Sequence, residues 1–114
     1  MLIGTKDLTP GEKLLVCRRR EGNTQMKESR AYKTPVRAYR LWESDERSST
    51  APQPRIKIGR LKEHEQCFLL RRRRKMTLLE AAKGVGVCRW WLRRMEKGEV
   101  SADRLVEYWR QWAA

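Results

Sequence analysis

The sequence is poor in the residues that build metal and nucleophile sites: one histidine, His64, and three cysteines, Cys17, Cys67 and Cys88, in 114 residues. The cysteines are odd in number and far apart, with no Cys-x-x-Cys, so neither a disulfide framework nor a zinc ribbon has a basis. No acid or nucleophile stands at a meaningful spacing from His64 and there is no carboxylate cluster, so no enzyme, metal or other cofactor is expected. Long apolar runs are missing too. None approaches the ~18 residues of a membrane span, and Met1-Leu-Ile-Gly-Thr-Lys-Asp lacks the apolar stretch of a secretion signal. A reducing cytoplasm and no membrane partner are the expectations. Acidic residues are also scarce, with 14 Asp plus Glu against 27 Lys plus Arg, a net charge of +13.

A chain this short and basic attracts polyanions, because neutralising phosphates releases condensed counterions. Charge alone does not identify the partner, since chromatin, ribosomal and membrane-surface proteins share it. It is unevenly placed: residues 1–50 carry 11 basic and 7 acidic side chains, residues 51–114 carry 16 and 7. The later part is the expected stronger phosphate binder.

Sliding the chain against itself brings key positions into coincidence at an offset of 53 residues. Leu8 falls on Leu61, Glu12 on Glu65, Arg18-Arg19-Arg20 on Arg71-Arg72-Arg73, Thr24 on Thr77, Arg40 on Arg93 and Glu43 on Glu96. Apolar positions align without gaps, among them Cys17 with Leu70, Tyr39 with Leu92 and Trp42 with Met95. The pattern is that of a tandem duplication, giving an N-terminal domain at 1–46, a linker at 47–57 and a C-terminal domain at 58–114. The Ser-, Pro- and charge-rich stretch between the copies has little to bury, so it reads as a flexible tether.

Each copy resolves into three short helices. Thr9-Pro10-Gly11-Glu12 is a capping box with Pro at the first helical position, opening a helix that stops near Gly22. Thr24 caps a second helix to about Ala31, and Thr34-Pro35 opens a third through Trp42. In the second copy the first helix covers about Lys62 to Arg74, and Thr77-Leu78-Leu79-Glu80 caps the second. Gly84-Val85-Gly86-Val87 supplies a turn, and the third helix covers Cys88 to Lys97. A fourth helix, capped by Ser101, carries Leu105, Tyr108, Trp109 and Trp112 at helical spacing. The fold class expected is all-α. Trp42, Trp109 and Trp112 read as core, Trp91 as packed on its own domain, and His64 as a surface residue of the first helix.

The run from Thr77 to Gly98 resembles the helix-turn-helix core of phage-repressor, Cro and XRE-like regulators. Ala82 matches the small residue of its second helix, Gly86-Val87 its turn, and Leu92, Met95, Glu96 and Gly98 the end of its recognition helix. Leu8-Thr-Pro-Gly-Glu, Thr24-Gln25 and Trp42-Glu43 resemble it more loosely, with Lys33 at the turn glycine and Ser29 at the small alanine. The resemblance implies two lambda-repressor-like domains, each with an ion pair from its first helix to the end of its third, Arg18 to Glu43 and Arg71 to Glu96. It also implies that the third helix enters a major groove. The second copy then presents Cys88, Arg89, Trp90, Arg93 and Arg94. Arg89 and Arg94 suit guanine, and Trp90 a thymine methyl or a sugar. The first copy presents Val36, Arg37, Arg40 and Leu41, with Gln25 facing phosphate. Val36 and Leu41 suit thymine methyls or a protein partner.

The function implied is a sequence-specific double-stranded DNA-binding transcription regulator, a repressor of phage or mobile-element type, at the bacterial nucleoid. The alternative is an anti-activator-like regulator that docks a protein on the same scaffold. The tether would let two linked heads reach half-sites one helical turn apart, and the aromatic last helix offers a homodimer surface.

Overall fold

Helix caps written into the sequence set where the chain turns. The computed structural model describes residues 2–113, apart from the side chains of Ser48 and Ala113. Among the described residues there is no strand. The helices are α1 (Pro10–Glu21), α2 (Gln25–Ala31), α3 (Val36–Glu43), α4 (Glu63–Arg73), α5 (Leu78–Val85), α6 (Arg89–Glu96) and α7 (Asp103–Ala113), with 3-10 turns at Thr5–Asp7 and Ser48–Thr50. The chain is all-α. It forms two compact units, Thr5–Arg60 and Leu61–Ala114, the second including the stretch up to Gly4. There Gln66 Oε1 accepts from the backbone N–H groups of Leu2 (2.8 Å) and Ile3 (3.2 Å).

Thr9 opens α1 with a reciprocal box, its hydroxyl accepting from Glu12 N–H (3.1 Å) while Glu12 accepts from Thr9 N–H (3.0 Å). Thr77 and Glu80 do the same for α5. Most helix ends fall within a residue of the expected ones, and two of the differences have a local cause. Pro35 is the cap of α3 and not its first residue, and α5 runs through Gly84 to Val85 before Gly86 ends it. Gly84 is helical, and the ring of Tyr108 occupies the space a side chain there would need.

The 53-residue offset extends to the backbone. Thr9, Thr24 and Pro35 cap α1 to α3, and Lys62, Thr77 and Cys88, each 53 positions on, cap α4 to α6. Positive φ occurs at Gly22, Lys33 and Asp45 (69°, 54°, 64°) and again at Lys75, Gly86 and Gly98 (55°, 85°, 78°). One steric contact has changed sides between the units. A Cβ on Gly11 would lie 2.4 Å from the Trp42 carbonyl, and the Asp45 carboxylate caps that point by accepting from Gly11 N–H (2.8 Å). In the second unit the equivalents are His64 and Gly98, and the His64 ring fills the place where a side chain on Gly98 would go. His64 is therefore half-buried packing and not a plain surface residue.

In the first unit α3 packs on α1 and α2, burying Leu14, Cys17 and Tyr39, with Tyr39 stacked on Tyr32 (6.0 Å) and edge-on to Trp42 (6.3 Å). In the second, α7 closes over α4 and α5, burying Cys67, Ala81, Ala82, Leu92, Met95, Leu105, Val106 and Trp109 in one cluster. Trp112, expected in the core, is 46% exposed. It lies on the last turn of α7, under the Arg74 guanidinium (4.5 Å).

The stretch expected as a free tether is fastened to the first unit from Arg55 onward. Where the second unit buries Ala81, the first buries Glu28, whose Oε1 accepts from Arg55 (2.8 Å) and from the Asn23 amide (3.0 Å). Arg55 also pairs with Glu21 (3.0 Å), and its backbone N–H donates to the Tyr32 hydroxyl (3.0 Å). The carbonyls of Ile56 and Ile58 accept from the Cys17 thiol and from Arg20. A buried carboxylate without a partner costs several kcal/mol, which is why the strap is held.

A left-handed conformation costs a side-chain-bearing residue about 1 kcal/mol. Lys33→Gly, restoring the residue that the repeat has at Gly86, is expected to raise the first unit's melting temperature by about 4–8 °C in calorimetry. An unchanged or lowered value would contradict the strain assigned to that turn.

Candidate nucleic-acid interface

The last turn of the third helix in each unit is anchored from behind. Arg71 reaches from α4 to Glu96 at the end of α6 through two hydrogen bonds (Nε 2.7 Å, Nη2 3.0 Å), and its third nitrogen donates to the Met76 carbonyl (2.9 Å). Arg18 grips Glu43 in the same way (2.6 and 3.2 Å) and donates to the Asn23 carbonyl (3.2 Å), 53 positions before Met76. The glutamates are buried and the arginines mostly so. Two parallel hydrogen bonds fix angle as well as distance, so the pair sets which face of the helix looks outward.

With Leu92, Met95 and Glu96 turned inward on α6, Arg89, Trp90, Trp91 and Arg93 face outward, and Cys88 stands exposed at the helix start. Trp90 is 61% exposed, and Trp91, at 38%, is packed on its own unit only in part. The expected guanine reader Arg94 is already engaged: its Nε donates to Glu99 (3.2 Å) and its guanidinium lies over Trp90 (5.0 Å) and Trp91 (5.7 Å). That pair is half-exposed and contributes under about 1 kcal/mol, so it positions the guanidinium without locking it. Arg89 and Arg93 are the exposed cations of the helix.

On α3, Arg37 and Arg40 are exposed, Val36 and Leu41 half-buried. Gln25, expected to face phosphate, bridges inside the unit: its amide donates to Glu43 (3.1 Å) and its carbonyl accepts from Arg40 Nε (3.1 Å). The second unit has Leu78 in its place. Further cations are exposed on the same elements: Lys27 and Arg30 on α2, Lys33 in the turn after it, Lys83 on α5, and Lys97, which lines one groove with Arg93. The signal for them was sign segregation. On α2 and α3 both carboxylates, Glu28 and Glu43, are buried and paired; on α5 and α6, Glu96 is buried and paired and only Glu80 is exposed, in its capping box.

The thiols divide by burial. Desolvation raises Cys17, and desolvation helped by the charges of Glu96 and Glu63 pushes Cys67 up to about 12. Among the described residues no group of three or more His, Cys, Asp and Glu could hold a metal ion, and no helix is long and apolar enough to cross a membrane. No protein-family model, curated protein or solved structure matched the chain when it was compared with each.

Removing Glu96 strands a mostly buried guanidinium. Glu96→Ala is expected to destabilise the second unit by about 3 kcal/mol in denaturant titration, whereas Glu99→Ala changes the midpoint by less than about 1 kcal/mol. Equal effects would contradict the anchoring role. A disulfide reagent at neutral pH is expected to modify one thiol, Cys88, in the folded protein and three after denaturation; rapid reaction of Cys67 in the native state would contradict its burial.

Proposed function

We propose that the chain is a sequence-specific double-stranded DNA-binding regulator, a repressor that acts by occupying its site, with α1–α3 and α4–α6 serving as two helix-turn-helix heads related to the repressor and Cro type. One observation carries this reading: both faces built from the second and third helices hold exposed Lys and Arg, while their carboxylates, Glu80 apart, are buried against arginine. Such a face accumulates phosphate and not acid-balanced protein surface. Arg89 and Arg93 have the reach and the paired donors for guanine edges, and Val36 and Leu41 the apolar surface for thymine methyls. Exposed Met26 and Leu79, 53 positions apart, support a second reading in which the same scaffold docks a protein.

The test is a footprint on the DNA upstream of the chain's own coding sequence, followed by binding isotherms at several salt concentrations. Arg89→Ala is expected to lose about 1–3 kcal/mol on the selected site and less on random duplex. Lys83→Ala should weaken both alike and reduce the salt slope by about one. Identical losses for both variants on both DNAs would refute base readout by α6. No footprint at moderate salt, together with a stable protein complex, would establish the docking reading instead.

A further inference from the structure

The duplication separates what the fold requires from what it does not. Positions 90, 91, 94 and 97 hold Trp, Trp, Arg and Lys, whereas their equivalents 37, 38, 41 and 44 hold Arg, Ala, Leu and Ser on a helix of identical length that begins and ends at equivalent positions. The first unit builds the same three helices without this cluster, so the cluster is surplus to the fold. It forms a groove of about 410 Å³ lined by Trp90, Arg93, Arg94, Lys97 and Glu99, within the size range of ligand sites. Three cations face one carboxylate there, and Arg94 bonds that carboxylate.

The aromatic surface decides which polyanion fits. Arg94 covers part of Trp90, and the indole is still 61% exposed, an apolar face left in water at the rim of a basic groove. A duplex hides its base faces in the stack and offers only edges, which an indole with its single N–H donor reads poorly. An unpaired base offers its whole face. We infer that this groove is a binding site for single-stranded polynucleotide, in which a base stacks on Trp90 while the flanking phosphates lie on Arg93 and Lys97. Arg94, held by Glu99 and spread over both indoles, is the positioning residue that keeps the stacking platform upright. The site does not depend on duplex readout by α6.

The experiment titrates the full chain with a labelled twelve-base oligothymidylate and with an abasic strand of the same length and charge. The base-bearing strand is expected to bind about 5- to 150-fold more tightly and to quench tryptophan fluorescence. Trp90→Arg, which installs the residue found at position 37, adds a positive charge and separates the two contributions: stacking requires weaker binding of the base-bearing strand by a similar factor, charge alone requires tighter binding. Equal affinity of the wild-type chain for the two strands, or tighter binding by Trp90→Arg, would overturn the inference. An oligouridylate of the same length distinguishes DNA from RNA; binding of either strand supports the site and binding of neither overturns it. A duplex footprint without single-strand binding removes this inference alone, and single-strand binding without a footprint removes only the duplex reading.

Discussion

A buried glutamate gripped by an arginine two helices earlier in the chain is the constraint on which the other features depend. The third helix of each unit is only eight residues long, too short to hold its own orientation. The two-point pair from α1 to α3, and from α4 to α6, fixes the helix about its axis. It also removes a carboxylate from the surface. One interaction thus orients the exposed residues and takes one carboxylate, Glu43 or Glu96, off the predominantly basic face they form.

The two units differ where the fold tolerates difference. Gly11 with Asp45 and His64 with Gly98 exchange bulk across one contact and leave the turn intact. Glu28, at the position where the second unit buries Ala81, takes its partner from outside the helices, from Arg55 and the strap behind it. The fourth helix of the second unit offers a different solution, since α7 supplies Leu105, Val106 and Trp109 to a core built on small alanines. The two units are therefore built alike and chemically distinct, one presenting Arg37 and Arg40 between half-buried aliphatics, the other arginines beside exposed indoles.

Much of this was legible in the sequence because it is either local along the chain or repeated in both copies, as the Glu28–Arg55 contact is not. Capping boxes span three residues, and the Arg-to-Glu interval is the same in both copies, so Thr9, Thr77, Arg18 and Arg71 could be placed without coordinates. The strap could not: Glu28 and Arg55 are 27 residues apart, and a Ser- and Pro-rich composition describes a tether and a strap equally well. Trp112 was misplaced because helical spacing assigns a residue to a face but does not reveal whether anything packs on that face. Gln25 and Arg94 have the chemistry to contact nucleic acid, and only the positions of Glu43 and Glu99 show that both are partly engaged within the protein.

Titration of the isotopically labelled chain with duplex containing the footprinted site, followed through backbone amide resonances, tests the central claim most directly. The expected result is that shifts concentrate on α3 and α6 and on the turns before them, and that they are larger than with random duplex at the same salt. Shifts confined to α7, or the same modest changes spread over every exposed lysine and arginine with both duplexes, would contradict a reading head in either unit.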